Sequence, residues 1–343
     1  MKNLFVVHTQ YNLILSLAVI ENQFNNDNNY LVLFEDFNID ERMIDNLKKY
    51  FLQIDIFTGS YYKKEQLWRK KVFRYFYLNK VFKCDANIYD NVFIVEDTTI
   101  PEQYIMKYSY CKNNDVNYCC IGDGGYAYFS VDGIDNTGLA KHGYTMFLRK
   151  IVFKYMFGLG KFYTAAWCFG SSPLLKTIYE LYPVYLREEL QHKTKCEIDG
   201  VHFTKGVKNL YGYLPSVTIE DNSLIIILDK LNVYNDLELF NTTIEEIINK
   251  ARKEKRHIYY KYHPAEKEKL SFADEWVEID RNISAEYVFS CCNAKTTWIV
   301  GIMTTALQTA SKMGFNVTSY IKTFKPHRID VIDFYKQIGI EVK

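Results

Sequence analysis

His263 is followed at once by a proline in the stretch RHIYYKYHPAE (256–266), although the chain holds only 6 prolines in 343 residues. Ile258, Tyr259 and Tyr260 are strand-type side chains. Pro264 has no N–H to give a ladder, so the chain must leave its sheet there. His263 is then left at the carboxyl end of a strand, the edge where open α/β sheets bind ligands. An imidazole in that place can give a proton or a hydrogen bond to a departing group. A turn that merely contains a histidine is the competing reading.

Three further stretches carry chemistry of the same kind. In TTWIVGIMTTALQTASKMG, Trp298 to Val300 read as a strand, Gly301 permits a tight exit, and Thr304 and Thr305 open a helix. Helix N-termini present N–H groups and a positive dipole end to phosphate oxygens, and hydroxyls there add to them; the plainer role for either threonine is an N-cap. In CCIGDGGYAYF, Asp123 lies between Gly122 and Gly124-Gly125, directly after an apolar strand. A carboxylate so placed can act as a base, while Asp-Gly is also an ordinary hairpin signal. Glu286, in NISAEYVF, opens a helical or strand segment and suits either a ribose diol or a first-turn helix acid. The chain has no Gly-x-x-x-x-Gly-Lys and no clear G-x-G-x-x-G after its first strand, which disfavours an NTPase and a dinucleotide oxidoreductase.

These residues need elements to hold them. The N-terminal half alternates strand-like and helical runs: LFVVHT, NLILSLAVIENQ, YLVLFE, ERMIDNLKKYF, QIDIFTG, NVFIVED, PEQYIMKYSYCKNN and NYCCI. The pattern loosens after Gly125 and resumes at SLIIILD (223–229), followed by a helix over 243–256 capped by threonine, then HIYYKYHP, WVEID, AEYVFSCCN, TTWIVG and NVTSYI. Such alternation predicts βαβ units and parallel sheets. The expected fold class is therefore α/β with two Rossmann-like domains facing a cleft. The domains are expected at residues 1–190 and 191–343, with the boundary falling between about 175 and 222.

Bulk properties narrow the classes. The chain is 48% hydrophobic and 24% charged, with a net charge of +1, so no global electrostatic case for nucleic acid exists. No run of about 18 apolar residues is present, and the opening MKNLFVVHTQYNLILSLAV lacks a signal-peptide cleavage site, so a cytoplasmic protein is expected. The 8 cysteines show no metal-ligand spacing and read as buried free thiols, with the Cys-Cys pairs in strand-like surroundings. Two stretches, 61–83 and 143–163, mix Lys and Arg with aromatics. An amphipathic helix is the plain reading, and peripheral docking on the anionic inner face of a membrane is the functional one.

Taken in order, Gly122-Asp123-Gly124, His263-Pro264, Glu286 and Thr304-Thr305 resemble the pattern of bacterial sialyltransferases. The similarity is to glycosyltransferase family 52 and the capsular polysialyltransferase group, which carry an acidic-acidic-Gly motif, a His-Pro motif and a Ser/Thr pair. The opening FVVHTQYNLILSL is similar to that group's first strand and helix, which puts His8, Thr9 and Gly124 on the acceptor side. Two departures stand out: Gly122 replaces the first acid, and the hydroxyl pair is Thr-Thr. Asp236, in LDKLNVYNDLELF, is the reserve for the base.

The resemblance implies a GT-B fold, with an N-terminal acceptor-side domain and a C-terminal nucleotide-sugar domain. It implies an inverting transfer of sialic acid from CMP-sialic acid to a glycan hydroxyl of capsule or lipooligosaccharide, without metal or other cofactor. Asp123 would be the base and His263 the partner of the leaving phosphate. Pro264, Glu286, Gly301, Thr304 and Thr305 would line the CMP site. A GT-B transferase using another nucleotide donor, including a polyol-phosphate donor, and a non-catalytic glycan-assembly subunit are the alternatives.

Overall fold

The computed structural model describes residues 1–58, 87–129, 150–156, 158–163, 168–229, 236–263, 266 and 276–343. Pro264, the whole of the basic stretch 61–83 and residues 143–149 and 157 of the second lie outside them. The chain forms two compact units, Met1–Ile198 and Asp199–Lys343.

Unit 1 is built on β1 (Lys2–Val7), β2 (Asn28–Glu35), β3 (Gln53–Thr58), β4 (Asn91–Ile94), β5 (Asn117–Ile121), β6 (Thr177–Glu180) and β7 (Thr194–Glu197). The order is β3-β2-β1-β4-β5-β6-β7, and each pairing is parallel. Unbroken apolar runs such as Leu4 to Val7 and Val92 to Ile94 are buried, as a sheet covered on both faces requires. Phe5 of β1 stacks on Phe93 of β4 with ring centroids 4.3 Å apart. At the amino-terminal edge an asparagine ladder fixes the register. Asn3 donates to Asn29 at 2.9 Å, Asn91 to Asn3 at 2.8 Å, and Asn117 to Asn91 at 3.1 Å. Helices α1 (Gln10–Val19), α2 (Glu41–Leu47) and α3 (Ile100–Lys112) follow β1, β2 and β4.

Unit 2 repeats the plan with β8 (Ser223–Ile227), β9 (His257–Lys261), β10 (Val277–Glu278), β11 (Trp298–Gly301), β12 (Asn316–Ser319) and β13 (Glu341–Val342), in the order β10-β9-β8-β11-β12-β13. These pairings are parallel too. Its helices include α4 (Gly200–Tyr211), α5 (Leu237–Lys253), α6 (Ala285–Ser290) and α7 (Thr305–Lys312). In each unit the chain winds outward one way and then the other, so the order reverses between β1 and β4 and between β8 and β11. Those switch points are where sheets of this kind open a crevice at their strand carboxyl ends.

Several sequence expectations change. The loosened middle is not without regular structure, since β6, β7 and α4 lie in it. Helix α5 begins six residues before Thr243, and its cap is Asp236 rather than a threonine. Thr243 is buried inside that helix and donates to the Leu239 carbonyl at 2.8 Å. The AEYVFSCCN stretch is helical, with Cys291 and Cys292 just beyond α6; Cys119 and Cys120 are in a strand, on β5. The described thiols are free, but Cys111 is exposed rather than buried.

Candidate active site

Asp123 follows β5 and precedes a single 3₁₀ turn, Gly124–Ala127, whose amides its side chain does not cap. Strand β5 pairs in parallel with β4 and β6, so the Asp-Gly is no hairpin turn. Gly124 takes φ +65°, a conformation that costs glycine little. The Asp123 carboxylate instead accepts from the Asn12 amide at 3.3 Å. Burial is the main reason its pKa is raised, with Glu102 adding to it and Asn12 and His8 pulling it back.

Asn12 is held from below. Thr9 caps α1 by accepting from the Asn12 N–H at 3.1 Å, and the Asn12 side chain accepts from the Thr9 N–H at 3.1 Å and from the Thr9 hydroxyl at 2.6 Å. This reciprocal cap fixes the side chain that reaches Asp123. Thr9 therefore acts on Asp123 through Asn12.

His8 stands just past β1, beside Thr9, and is only 5% exposed. Its Nδ1 lies 2.9 Å from Asp36, just after β2, and its Nε2 lies 3.6 Å from Glu102 in α3. The ring stacks on Phe34 at 4.4 Å. Burial lowers the imidazole pKa, but Glu102 and Asp36 outweigh it and hold the value at about 10. Glu102 itself is fully buried and accepts from the amides of Val95 and Glu96 at 3.2 and 3.0 Å and from the Thr99 hydroxyl at 3.0 Å. Beside it, burial and the Glu102 charge raise Glu96 to about 7.

Gly122 has a local reason to be glycine. An added Cβ would stand 1.5 Å from Oε1 of Glu180, the last residue of β6. The buried Glu180 carboxylate accepts from the Tyr128 hydroxyl at 2.6 Å and from the Leu181 N–H at 3.0 Å. A carboxylate from the neighbouring strand thus fills the space beside Asp123 that a side chain at 122 would need.

In unit 2, His263 stands exposed two residues past β9, and its carbonyl accepts the Glu266 N–H at 2.9 Å. Across the unit's switch point, β11 ends on Gly301, and Thr304 caps α7 by accepting from the Ala306 N–H at 3.3 Å. Thr305 is the first helical residue, and both threonines are half-buried. Strand β8 lies between β9 and β11, so His263 and the threonine pair leave the same sheet edge on either side of it. Glu286, in the first turn of α6, accepts from the Thr309 hydroxyl at 3.3 Å, and burial raises its pKa. Asp236 is exposed and caps α5, accepting from the Leu239 N–H at 2.9 Å.

Sequence reasoning missed Asn12, Asp36, Glu96, Glu102 and Glu180 in unit 1. It also missed Asp229, which burial raises to about 6, and Lys261. Lys261 is buried at the end of β9, donates to the carbonyls of Asp280 and Arg281 at 3.3 and 3.2 Å, and is lowered by burial to about 8. One signal was present: FED, VED, IGD and LD each place an acid just past an apolar strand. Among the described residues no group of three or more His, Cys, Asp or Glu side chains is arranged to hold a metal ion.

The two doubly wound parallel sheets define an α/β fold of the GT-B kind. Solved structures of that kind match along the chain. The UDP-GlcNAc 2-epimerase from Methanocaldococcus jannaschii is 11% identical over 100% of this chain and 89% of its own, with a TM-score of 0.56. The UDP-N-acetylglucosamine 2-epimerase from Rickettsia bellii is 14% identical over 96% and 82%, with a TM-score of 0.50. The chain belongs to the alpha-2,8-polysialyltransferase family, which it matches over residues 3–321, and so to the sialyltransferases. No curated protein sequence matches it.

Proposed function

We propose that this chain transfers sialic acid from CMP-sialic acid to a glycan hydroxyl, with inversion and without a metal ion, in the making of a bacterial surface glycan. The observation that carries the reading is the family match joined to Asp123, a carboxylate at a strand carboxyl end that caps nothing and is held by Asn12. Asp123 takes the proton of the acceptor hydroxyl as the hydroxyl oxygen attacks the anomeric carbon. The bond to the CMP phosphate oxygen breaks on the opposite face. His263 gives that phosphate a proton or hydrogen bond, and the hydroxyls of Thr304 and Thr305 with the first turn of α7 share its charge. Glu286 and Gly301 belong to the nucleotide side of this reading. Unit 2 is then the donor domain and unit 1 the acceptor-side domain.

The raised pKa of Asp123 supports its assignment, because a base that binds its proton more tightly serves better near neutral pH. Asp236 is spent on a cap, which favours Asp123 over it. The test is CMP release and glycosyl transfer from CMP-sialic acid in EDTA. Wild type is expected to turn over. His263→Ala is expected to lose release, and Asp123→Asn to lose transfer by about 10²–10⁴-fold. No turnover of any CMP donor, with turnover of a UDP or CDP-polyol donor, would move the chain to another transferase reaction.

No described helix is long and apolar enough to cross a membrane. Peripheral docking on an anionic bilayer is part of the proposal, supported by exposed Ile151, Tyr155 and Met156 next to Lys154. Co-sedimentation with phosphatidylglycerol vesicles, weakened by Tyr155→Ser with Met156→Ser, is the expected result; equal binding to neutral vesicles speaks against it.

A further inference from the structure

We propose that His8 is a positioning residue of this site, a buried imidazolium clamped between Asp36 and Glu102 that ties β1, β2 and α3 together and keeps Asp123 in its ionised form. The inference rests on the reading of Asp123 as the base. Geometry makes the case for the charge. Both ring nitrogens face carboxylates, at 2.9 and 3.6 Å. A neutral imidazole has one N–H and one lone pair, so it would turn the lone pair on one of them. Glu102 already accepts from two amides and a hydroxyl, which holds it as a carboxylate. Nδ1 is hydrogen-bonded to Asp36, and Nε2, without a hydrogen bond of its own, faces Glu102 across 3.6 Å, an ion-pair distance at which a protonated nitrogen is favoured over a lone pair.

The groups facing the ring from the elements around it are Asp36 after β2, Glu96 after β4 and Glu102 on α3, with the apolar face of Phe34 beneath. The charged groups acting on Asp123 are His8, which favours its ionised form, and Glu102, which opposes it. Among the described residues His8 is thus the positive charge that acts on the base. It also sits one residue before the Thr9 cap that holds Asn12 against Asp123, so one turn of chain fixes both the charge and the hydrogen bond. The pKa near 10 agrees with an imidazolium throughout the neutral range. The same cation lowers Glu96 as well as Asp123, so its loss raises both.

The test is the pH dependence of kcat/KM for transfer to a sialylated oligosaccharide in wild type and His8→Gln. The acidic limb is expected to move up by roughly one pH unit in the variant, the scale set by a nearby opposite charge. Activity should then recover at higher pH, with the KM for CMP-sialic acid unchanged. A folded variant that loses activity equally at every pH, with the limb unmoved, overturns the proposal. A second measurement needs no variant: in wild type carrying ¹⁵N-labelled histidine, one ring is expected to keep both protons at pH 8.5, and seven rings that have all become neutral overturn the proposal. The base reading fails separately. Full transfer by Asp123→Asn sinks both, whereas its loss in Asp123→Asn beside an unmoved limb in His8→Gln sinks only the role of His8.

Discussion

In unit 1 the strands end on acids: Asp36 after β2, Glu96 and Asp97 after β4, and Asp123 after β5. In unit 2, β8 is also followed by an acid that burial raises, Asp229, but β9 runs out to an exposed histidine and β11 to a glycine and a hydroxyl pair at a helix start. The winding is the same, with a switch point at the first strand of each sheet. What differs is the burial of the groups next to the switch strand: acids packed around His8 in unit 1, an exposed His263 and half-buried threonines in unit 2. Burial pushes two acids of unit 1 toward neutral pKa values, Glu96 beside the His8 cluster to about 7 and Asp97, which accepts from the Gly170 and Ser172 amides, to about 6. His263 stands in solvent. A group that must take a proton gains from a dry, charge-balanced setting, while a group that meets a highly charged leaving phosphate needs access. One topology therefore offers two chemistries, divided by how deeply the strand ends are packed.

The largest expected effect sharpens this difference through two glycines, each at or just past a strand end. At Gly122 an added Cβ overlaps Glu180 at 1.5 Å, and Glu180 can retreat only by giving up Tyr128 and Leu181. At Gly301 the nearest atoms are the Ile227 carbonyl oxygen at 3.1 Å and a Leu307 methyl at 3.2 Å, so a shift of a few tenths suffices. Gly122→Ala is expected to cost about 1–3 kcal/mol in urea unfolding, and Gly301→Ala clearly less. Adding Glu180→Ala to Gly122→Ala should cost less than the two changes summed, because they share one overlap. Equal losses at the two glycines would break the comparison.

The sheets were legible in the sequence because parallel strands buried on both faces read as plain apolar runs, as VVLF-like stretches do here in YLVLF, NVFIV and SLIIIL. The Thr304 cap was legible for a local reason, since a hydroxyl at a helix start acts within a few residues. The carboxylate cluster was not. Its members are 28 and 94 residues from His8 in Asp36 and Glu102, and only the order β2-β1-β4 brings them together. Gly122 shows the same limit from the other side. Along the chain it is a gap in an acidic motif; in space the gap is filled by Glu180 from β6.

The smallest effect separates two residues that do the same local work. Asp236 and Thr304 are both N-caps, accepting from Leu239 at 2.9 Å and from Ala306 at 3.3 Å. Replacing either with alanine is expected to cost about 1 kcal/mol of stability. Asp236 is exposed and starts a helix that packs under β9, whereas Thr304 stands beside the switch point of its sheet. The two caps should therefore part on kinetics. Asp236→Ala is expected to leave transfer from CMP-sialic acid unchanged, while Thr304→Ala raises the donor KM by weakening the grip on the phosphate. If Asp236→Ala instead abolishes transfer while CMP release persists, the cap is also the base, and the acid network of unit 1 is there for the acceptor rather than for the proton.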